Sequence, residues 1–246
     1  ASSPFASAGS LYAGSRSEKC LRKINHFLDR IEFLRYSAPR MRWSLPSLLF
    51  LAATACLVAS PVLGGEVFNK VVIDPGHGGK DPGSIGFGLV EKELTLDIAK
   101  RIEKLLVGKG IDVELTRRED VYVELTDRGT TAANSPDTIL LSLHFNAHAD
   151  RSISGTETLY WPGSESGREL ASYVQSELGR RLVTRNRGFR PERLKVLEMA
   201  PVTGILVECG FLTNRWESQR CGAEWFRQIV AEEIVQGLLR YREAGE

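Results

Sequence analysis

The stretch "VVIDPGHGGKDPGS", residues 71–84, has the pattern of a buried strand that changes abruptly into a turn. Three apolar β-branched residues come before Asp74, and the turn that follows contains four Gly, two Pro and the histidine His77. Gly and Pro mark turns because they permit or fix backbone dihedrals that other residues avoid. The stretch therefore predicts that the chain leaves a sheet at Asp74 and presents His77 from a tightly shaped loop.

The rest of the chain alternates predicted strands and helices. Strands are predicted at residues 70–74, 111–117, 137–147, 156–161 and 204–210, and helices at 93–110, 124–134, 165–182 and 223–244. Such alternation indicates an α/β fold. We expect a single domain with a twisted, mostly parallel central sheet that is flanked by helices on both faces.

Polar residues stand at the ends of three predicted strands. His77 follows the first strand, and His144 and Glu208 end two later apolar runs. Sites in open α/β sheets gather at the carboxyl ends of the strands. We therefore expect these three side chains to converge on one edge of the sheet.

Two of these residues predict a metal site. Hydrolytic zinc sites use three protein ligands and keep a fourth position for water, and His77 and His144 supply two nitrogens. Glu91, after the glycine-rich loop and just before a helix predicted from Glu93, is the expected third ligand, with Glu93 as the competitor. Either acid has an alternative role, because carboxylates near a helix start stabilise the helix dipole. The predicted cofactor is one Zn²⁺ per chain.

Glu208 lies between the apolar run "GILV" and "CGF". Burying an unpaired carboxylate is costly, so a carboxylate in this position calls for a reason. Beside a metal site, it would act as a general base and then as a general acid. The alternative is a structural salt bridge to Arg128 or Arg215.

Composition limits the class of protein. The chain has 246 residues, of which 42% are hydrophobic and 26% charged, which is typical of a globular protein. Residues 66–246 contain 24 Lys/Arg and 28 Asp/Glu, so this part is mildly acidic and gives no electrostatic case for a nucleic-acid partner. Cys209 and Cys221 could form a disulfide, but two buried free thiols are the favoured interpretation.

The segment "MRWSLPSLLFLAATACLVASPVLGG", residues 41–65, resembles a secretory signal peptide. The alternatives are a transmembrane anchor, since the apolar run approaches spanning length, and a lipid anchor through Cys56. Residues 1–40 are interpreted as an upstream translated segment that is disordered, and residues 66–246 as the catalytic domain. We expect export to the periplasm, with the extracellular space as the alternative, and membrane contact only through the signal peptide.

Several separated motifs carry a resemblance to a known family. They are "VVIDPGHGGKDPGSIG", "EKELTLDIAKRI", "LTDRGTTAAN", "LLSLHFNA", "GTETLYW" and "ILVECGFLTN". In this order and spacing they resemble the zinc-dependent N-acetylmuramoyl-L-alanine amidases of the amidase-3 family, over about residues 69–243. The resemblance implies a hydrolase that cuts the amide between N-acetylmuramic acid and L-alanine in peptidoglycan, and we expect it to act as a monomer.

The resemblance also implies roles for individual residues. By motif, His77, Glu91 and His144 are zinc ligands, which favours Glu91 over Glu93, and Glu208 is the catalytic residue. Within the same motifs, Asn146 and Arg128 would support the site, whereas His148 would be a surface residue. Cys209 departs from the family pattern and would place a thiol next to Glu208 in the chain. Two other functions stay open: another zinc peptidase or deacetylase acting on the cell wall, and an inactive wall-binding protein.

Overall fold

The computed structural model describes residues 67–134 and 137–245. The predicted upstream segment 1–40 and the predicted signal peptide 41–65 lie outside the described residues. Within the described ranges, no helix combines the length and the apolar character needed to cross a membrane.

A six-stranded sheet organises the domain. Its strands are β1 (Lys70–Pro75), β4 (Asp112–Leu115), β5 (Thr138–Asn146), β6 (Thr156–Tyr160), β7 (Asn186–Pro191) and β8 (Gly204–Phe211), in the order β4-β1-β5-β8-β6-β7. Strands β2 (Ile85–Gly86) and β3 (Leu89–Val90) form a separate two-stranded hairpin. This hairpin folds the glycine-rich loop back toward the sheet and was not predicted.

Six α-helices surround the sheet in the described chain. They are α1 (Glu91–Val107), α2 (Leu125–Thr130), α3 (Glu165–Arg181), α4 (Lys195–Glu198), α5 (Arg215–Cys221) and α6 (Glu224–Gly245), and a 3-10 turn, Thr131–Asn134, follows α2. The four predicted helices are confirmed to within a few residues, except that the second is shorter and ends in the 3-10 turn. Helices α4 and α5 were missed because four and seven residues carry too little periodicity to identify.

The sheet is mostly parallel, as predicted. Strands β4, β1, β5 and β8 run in one direction, whereas β6 is antiparallel to β8 and β7 is parallel to β6. The edge that holds the carboxyl ends of β1, β5 and β8 therefore also holds the amino ends of β6 and β7. Side chains from both groups of strands can meet there.

One face of the sheet is covered by α1, α3 and α6 and is almost wholly apolar. Leu141 of β5 and Val207 of β8 are fully buried there together with Leu238 of α6. Helices α3 and α6 approach closely, because a Cβ on Gly237 would lie 2.5 Å from the Cα of Val174. This face forms the main hydrophobic core.

The other face carries a smaller apolar cluster below α2 and α4. Val72, Leu140, Leu159 and Leu206 of the sheet pack there with Val196 and Leu197 of α4. Alternate residues of a strand point to the same face, so the next positions toward the carboxyl edge on this face are polar. They are Asp74 in β1, Ser142 and His144 in β5, and Glu208 in β8.

The two cysteines among the described residues lie in the main core. Cys209 and Cys221 are both fully buried and free, as the favoured interpretation predicted. Because Cys209 follows Glu208 in a strand, its side chain points to the opposite face of the sheet. The thiol is therefore a neighbour of Glu208 in the chain and not in the polar row.

Candidate active site

The turn after β1 presents His77 in an unusual backbone conformation. His77 has φ 61°, in the left-handed region that non-glycine residues rarely adopt. The Arg128 guanidinium donates to the carbonyls of Pro75 at 2.9 Å and His77 at 2.6 Å. Arg117 donates to the carbonyls of Pro75 at 3.0 Å and Gly76 at 2.9 Å. Two buried arginines thus fix the turn by its main-chain oxygens.

Asp74 connects this turn to the neighbouring strands. Its buried carboxylate accepts from Arg128 at 2.8 Å, from the Thr116 hydroxyl at 2.7 Å and from the Ser142 hydroxyl at 2.8 Å. Arg128 therefore pairs with Asp74 and supports the turn that carries His77. The alternative that Arg128 neutralises Glu208 is therefore wrong.

Glu91 is the first residue of α1, not a residue just before the helix. Its buried carboxylate accepts from the Ser84 amide at 2.7 Å through Oε2 and from the Phe145 amide at 2.8 Å through Oε1. These two backbone donors lie on the returning loop and on β5, and they orient the carboxylate. Glu93, the competing candidate, is exposed.

His77, Glu91 and His144 form a compact donor cluster. Oε1 of Glu91 lies 3.2 Å from Nε2 of His77 and 2.9 Å from Nδ1 of His144, and one donor atom of each residue lies within 4.8 Å of the others. The ligands of a tetrahedral zinc are about 3.3 Å apart, because each bond is about 2.0–2.1 Å long. The donor set of two imidazoles and one carboxylate suits a zinc ion, and the two distances from Glu91 are close to this spacing.

Two glycines make this cluster possible. A Cβ on Gly76 would lie 2.4 Å from Cε1 of His144, and a Cβ on Gly83 would lie 2.5 Å from Cδ2 of His77. Gly83 also has φ +68°, which disfavours any side chain. The glycines of the opening stretch therefore give the two imidazoles room to approach Glu91.

Asp81 orients His77 and was not predicted. Its carboxylate lies 2.8 Å from Nδ1 of His77, which directs Nε2 toward Glu91. A carboxylate on the second nitrogen is the usual partner of a metal-binding histidine. The available signal was its position four residues after His77 in "HGGKD".

The charges in the cluster reinforce one another. Burial acts to raise the pKa of Glu91, but the hydrogen bonds with His144 and His77 lower that pKa to about 2. Burial opposes any rise at the two histidines, yet the Glu91 carboxylate raises the pKa of both. Glu91 is thus held as a carboxylate, which suits it to bind a cation.

Glu208 lies beside this cluster on the same face of the sheet. In the strand register it is opposite His144 of β5 on one side and Glu157 of β6 on the other. Its Oε2 is buried and has no hydrogen-bond partner among the described residues. Burial raises the pKa of Glu208 to about 7; the charges of Glu91 and Glu157 add to this rise, and His144 opposes it. Strand β8 continues to Phe211, so Glu208 lies near its end and not at it.

Two further predicted residues lie near the cluster without joining it. The Asn146 amide donates to Glu157 at 3.0 Å, so it supports the strand next to Glu208. His148 is exposed, as predicted, and its Nδ1 accepts from the Asp150 amide at 3.0 Å. Arg215, the other proposed partner of Glu208, is also exposed.

A small cavity opens beside the donor cluster. It has a volume of about 130 Å³ and extends from His77 and His144 to Tyr122, Leu125 and Val196. Tyr122 and Leu125 line this cavity and are 37% and 54% exposed. The two imidazoles therefore border a space that a reacting group can enter.

The sequence matches known proteins over most of its length. A family model described as N-acetylmuramoyl-L-alanine amidase (Amidase_3) matches residues 71–240, a range that contains the donor cluster and Glu208. The uncharacterized protein YqiI of Bacillus subtilis is 33% identical over 207 residues, which are 82% of this chain and 98% of that protein. The N-acetylmuramoyl-L-alanine amidase LytC of B. subtilis is 36% identical over 74% of this chain, which spans 36% of LytC.

Solved structures agree with the fold. An N-acetylmuramoyl-L-alanine amidase from Clostridium difficile 630 is 38% identical with a TM-score of 0.69, and the match covers 72% of this chain and 98% of that structure. The amidase AmiC2 of Nostoc punctiforme is 36% identical with a TM-score of 0.68. The expected relationship is confirmed: this chain belongs to the Amidase_3 family of N-acetylmuramoyl-L-alanine amidases.

Proposed function

We propose that this chain is a zinc-dependent enzyme that hydrolyses the amide between N-acetylmuramic acid and L-alanine in peptidoglycan. Family membership supports the reaction class. The observation that carries the proposal for these residues is the unpartnered, buried Oε2 of Glu208 beside the cluster of His77, Glu91 and His144. Burying a carboxylate without a partner costs folding free energy, and such groups are found at sites where a proton must be transferred.

In this proposal, His77, Glu91 and His144 hold one Zn²⁺ per chain. When bound, zinc would supply Lewis-acid chemistry, activating a water and polarising the scissile carbonyl. Asp81 orients His77, and the amides of Ser84 and Phe145 orient Glu91. The ligands are thus fixed before the metal arrives, which limits the reorganisation that binding requires.

Glu208 acts as the proton carrier. It takes a proton from the attacking water and passes it to the nitrogen of L-alanine as the amide bond breaks. Burial raises the pKa of the Glu208 carboxyl above its ordinary value, which favours a group that both accepts and releases a proton. The burial that produces this pKa also keeps bulk water from competing for the proton.

Digestion of purified peptidoglycan tests the proposal. We expect release of intact stem peptides with a free amino group on L-alanine, detected by mass spectrometry after amine labelling. Release of D-amino acids would indicate a carboxypeptidase, and release of acetate a deacetylase. Binding to peptidoglycan without any product would indicate a wall-binding protein. Each of these three results would contradict the proposed reaction.

We also propose that the protein is exported and that residues 41–65 direct the export, with the periplasm as its compartment. The relatives include proteins named as cell wall amidases, which supports a location outside the cytoplasm. Cell fractionation and amino-terminal sequencing of the natural protein test this. A mature chain that begins near residue 65 is expected, whereas one that retains residues 1–40 would contradict it.

A further inference from the structure

Two arginines of the edge strand β7 extend the polar row that contains Glu208. Nε of Arg190 lies 3.2 Å from Oε2 of Glu157, and Nε of Arg187 lies 3.7 Å from Oε1 of the same carboxylate. Glu157 is opposite Glu208 in the register of β6 and β8. His144, Glu208, Glu157 and the two arginines therefore occupy four neighbouring strands on one side of the sheet.

Glu157 positions these arginines. It is 4% exposed and also accepts from the Asn146 amide at 3.0 Å. A buried carboxylate requires partners, so the two guanidinium groups are held against it. Their side chains nevertheless stay 27% exposed for Arg187 and 50% exposed for Arg190. Each uses Nε toward Glu157, so N–H groups at the outer edge of each guanidinium can reach a ligand.

The outer guanidinium groups suit a carboxylate. A guanidinium binds a carboxylate through two parallel N–H donors, and such charge-assisted bonds are about twice as strong as neutral ones. Arg190 also contacts Glu192, whose side chain is 41% exposed, so this contact can be exchanged for one with a ligand. Arg187 makes one long hydrogen bond, 3.5 Å, to the carbonyl of Ser154.

An extended peptide can span the distance from Glu208, at the proposed reaction centre, to the two arginines. Strand β7 is two strand spacings from β8, or about 10 Å from Glu208. The two guanidinium groups lie against Glu157 of β6, only one strand spacing or about 5 Å from Glu208. An extended peptide advances about 3.4 Å per residue, so the second and third residues of a peptide that starts at Glu208 would lie close to these groups. A carboxylate on either residue would then meet the arginines while the first residue lies at the scissile bond.

We propose that Arg187 and Arg190 bind a free carboxylate of the peptidoglycan stem peptide and make the enzyme prefer stems that carry one. This inference rests on the proposed function. The carboxylate has two chemical sources: D-isoglutamate at the second position when it is not amidated, and meso-diaminopimelate at the third. Both present the same group to the arginines.

These arginines could instead serve only to protect the sheet edge, and that role predicts a different result. Charged residues on edge strands discourage pairing with other chains, and β7 is an edge strand. Arginines with that role alone would affect all substrates equally. A comparison of matched acidic and amidated substrates therefore separates the two roles.

The test uses three muramoyl tripeptides that end in a carboxamide. One has D-isoglutamate followed by L-lysine, one D-isoglutamine followed by L-lysine, and one D-isoglutamine followed by meso-diaminopimelate. We expect the unmodified enzyme to cleave at least one of the two substrates that carry a free carboxylate faster than the D-isoglutamine and L-lysine substrate, which has none. The double variant Arg187→Gln/Arg190→Gln should lower kcat/KM for that carboxylate-bearing substrate about tenfold or more relative to the substrate without a carboxylate.

Arg185→Gln is the matched control, because Arg185 is exposed just before β7 and has no ion pair among the described residues. It should leave the preference unchanged. Equal cleavage of all three substrates by the unmodified enzyme, or an equal loss for all three in the double variant, would overturn the inference. Failure of the proposed function is a separate result, in which no substrate yields a free L-alanine amino group.

Discussion

The two faces of the central sheet are built from the same strands but have different contents. On the face below α1, α3 and α6, buried side chains are almost all apolar, whereas the face below α2 and α4 has a small apolar cluster and then a polar row. Strand β5 shows the division within three residues. Leu141 and Leu143 point into the main core, and Ser142 points to Asp74 on the other face.

This difference shows how the domain combines stability with chemistry. The main core buries enough apolar surface to fix the strands, so the opposite face can hold buried carboxylates that would otherwise destabilise the fold. Substitutions at neighbouring positions of one strand should therefore have separate effects. Changes on the core face should lower stability, and changes on the polar face should lower metal binding or turnover.

The largest effect on turnover is expected from Glu208→Gln. The amide keeps the size of the side chain but cannot carry the proton, so turnover should fall by about 10²–10⁴-fold. Zinc content and the thermal midpoint should not fall, because Oε2 has no partner to lose among the described residues. Glu93→Gln, on the exposed side of α1, is the control. Turnover of Glu208→Gln equal to that of this control would refute the assignment.

On the core face, Leu141→Ala should mainly lower stability. Leu141 is fully buried, and truncation of such a leucine costs about 2–5 kcal/mol of unfolding free energy. Chemical denaturation measures this loss, and zinc content of the folded fraction should stay unchanged. Val107→Ala, at a position 58% exposed, is the control. A decrease in unfolding free energy of less than about 1 kcal/mol would show that this face does not form the main core.

At the metal cluster, Asp81→Ala should weaken zinc binding. Without the carboxylate, His77 loses the partner that orients its ring, and second-sphere changes of this kind typically lower affinity about 10–100-fold. Competition with a chelating dye measures the affinity. Asp81→Asn keeps a hydrogen-bond acceptor, so its zinc affinity should lie between those of the unmodified protein and Asp81→Ala. Equal affinities in all three would contradict the positioning role.

The smallest effect is expected from Ser142→Ala. The substitution removes one of three hydrogen-bonding partners of the buried Asp74 carboxylate, which should lower the unfolding free energy by about 1 kcal/mol. Arg128 and Thr116 continue to hold Asp74, so zinc content should be unchanged. Loss of zinc in this variant would show that the polar row is a single cooperative unit.

Most of the sheet could be predicted because apolar strands and amphipathic helices have clear periods. β1, β5 and β8 are nearly continuous apolar runs, and α1 repeats its apolar residues along one side. β7 could not be found in this way. Its sequence, "NRGFRP", is polar because the strand lies exposed at the edge of the sheet, so burial imposed no pattern on it.

The positions of the candidate site residues followed from one rule, that carboxyl ends of parallel strands share an edge. This rule brought His77, His144 and Glu208 together. The rule could not predict the roles of Arg117 and Glu157, because their contacts depend on which loops and strands become neighbours in space. Arg117 binds carbonyls 41 and 42 residues away, and Glu157 contacts Arg190, which is 33 residues away.

Zinc content is the measurement that tests the central claim most directly. Elemental analysis of the purified protein should find about one zinc per chain, and His77→Ala should lose it. His148→Ala should keep the metal, because that histidine is exposed outside the donor cluster. Absence of zinc after reconstitution, or equal zinc in His77→Ala and His148→Ala, would contradict the claim that the turn after β1 exists to hold a metal.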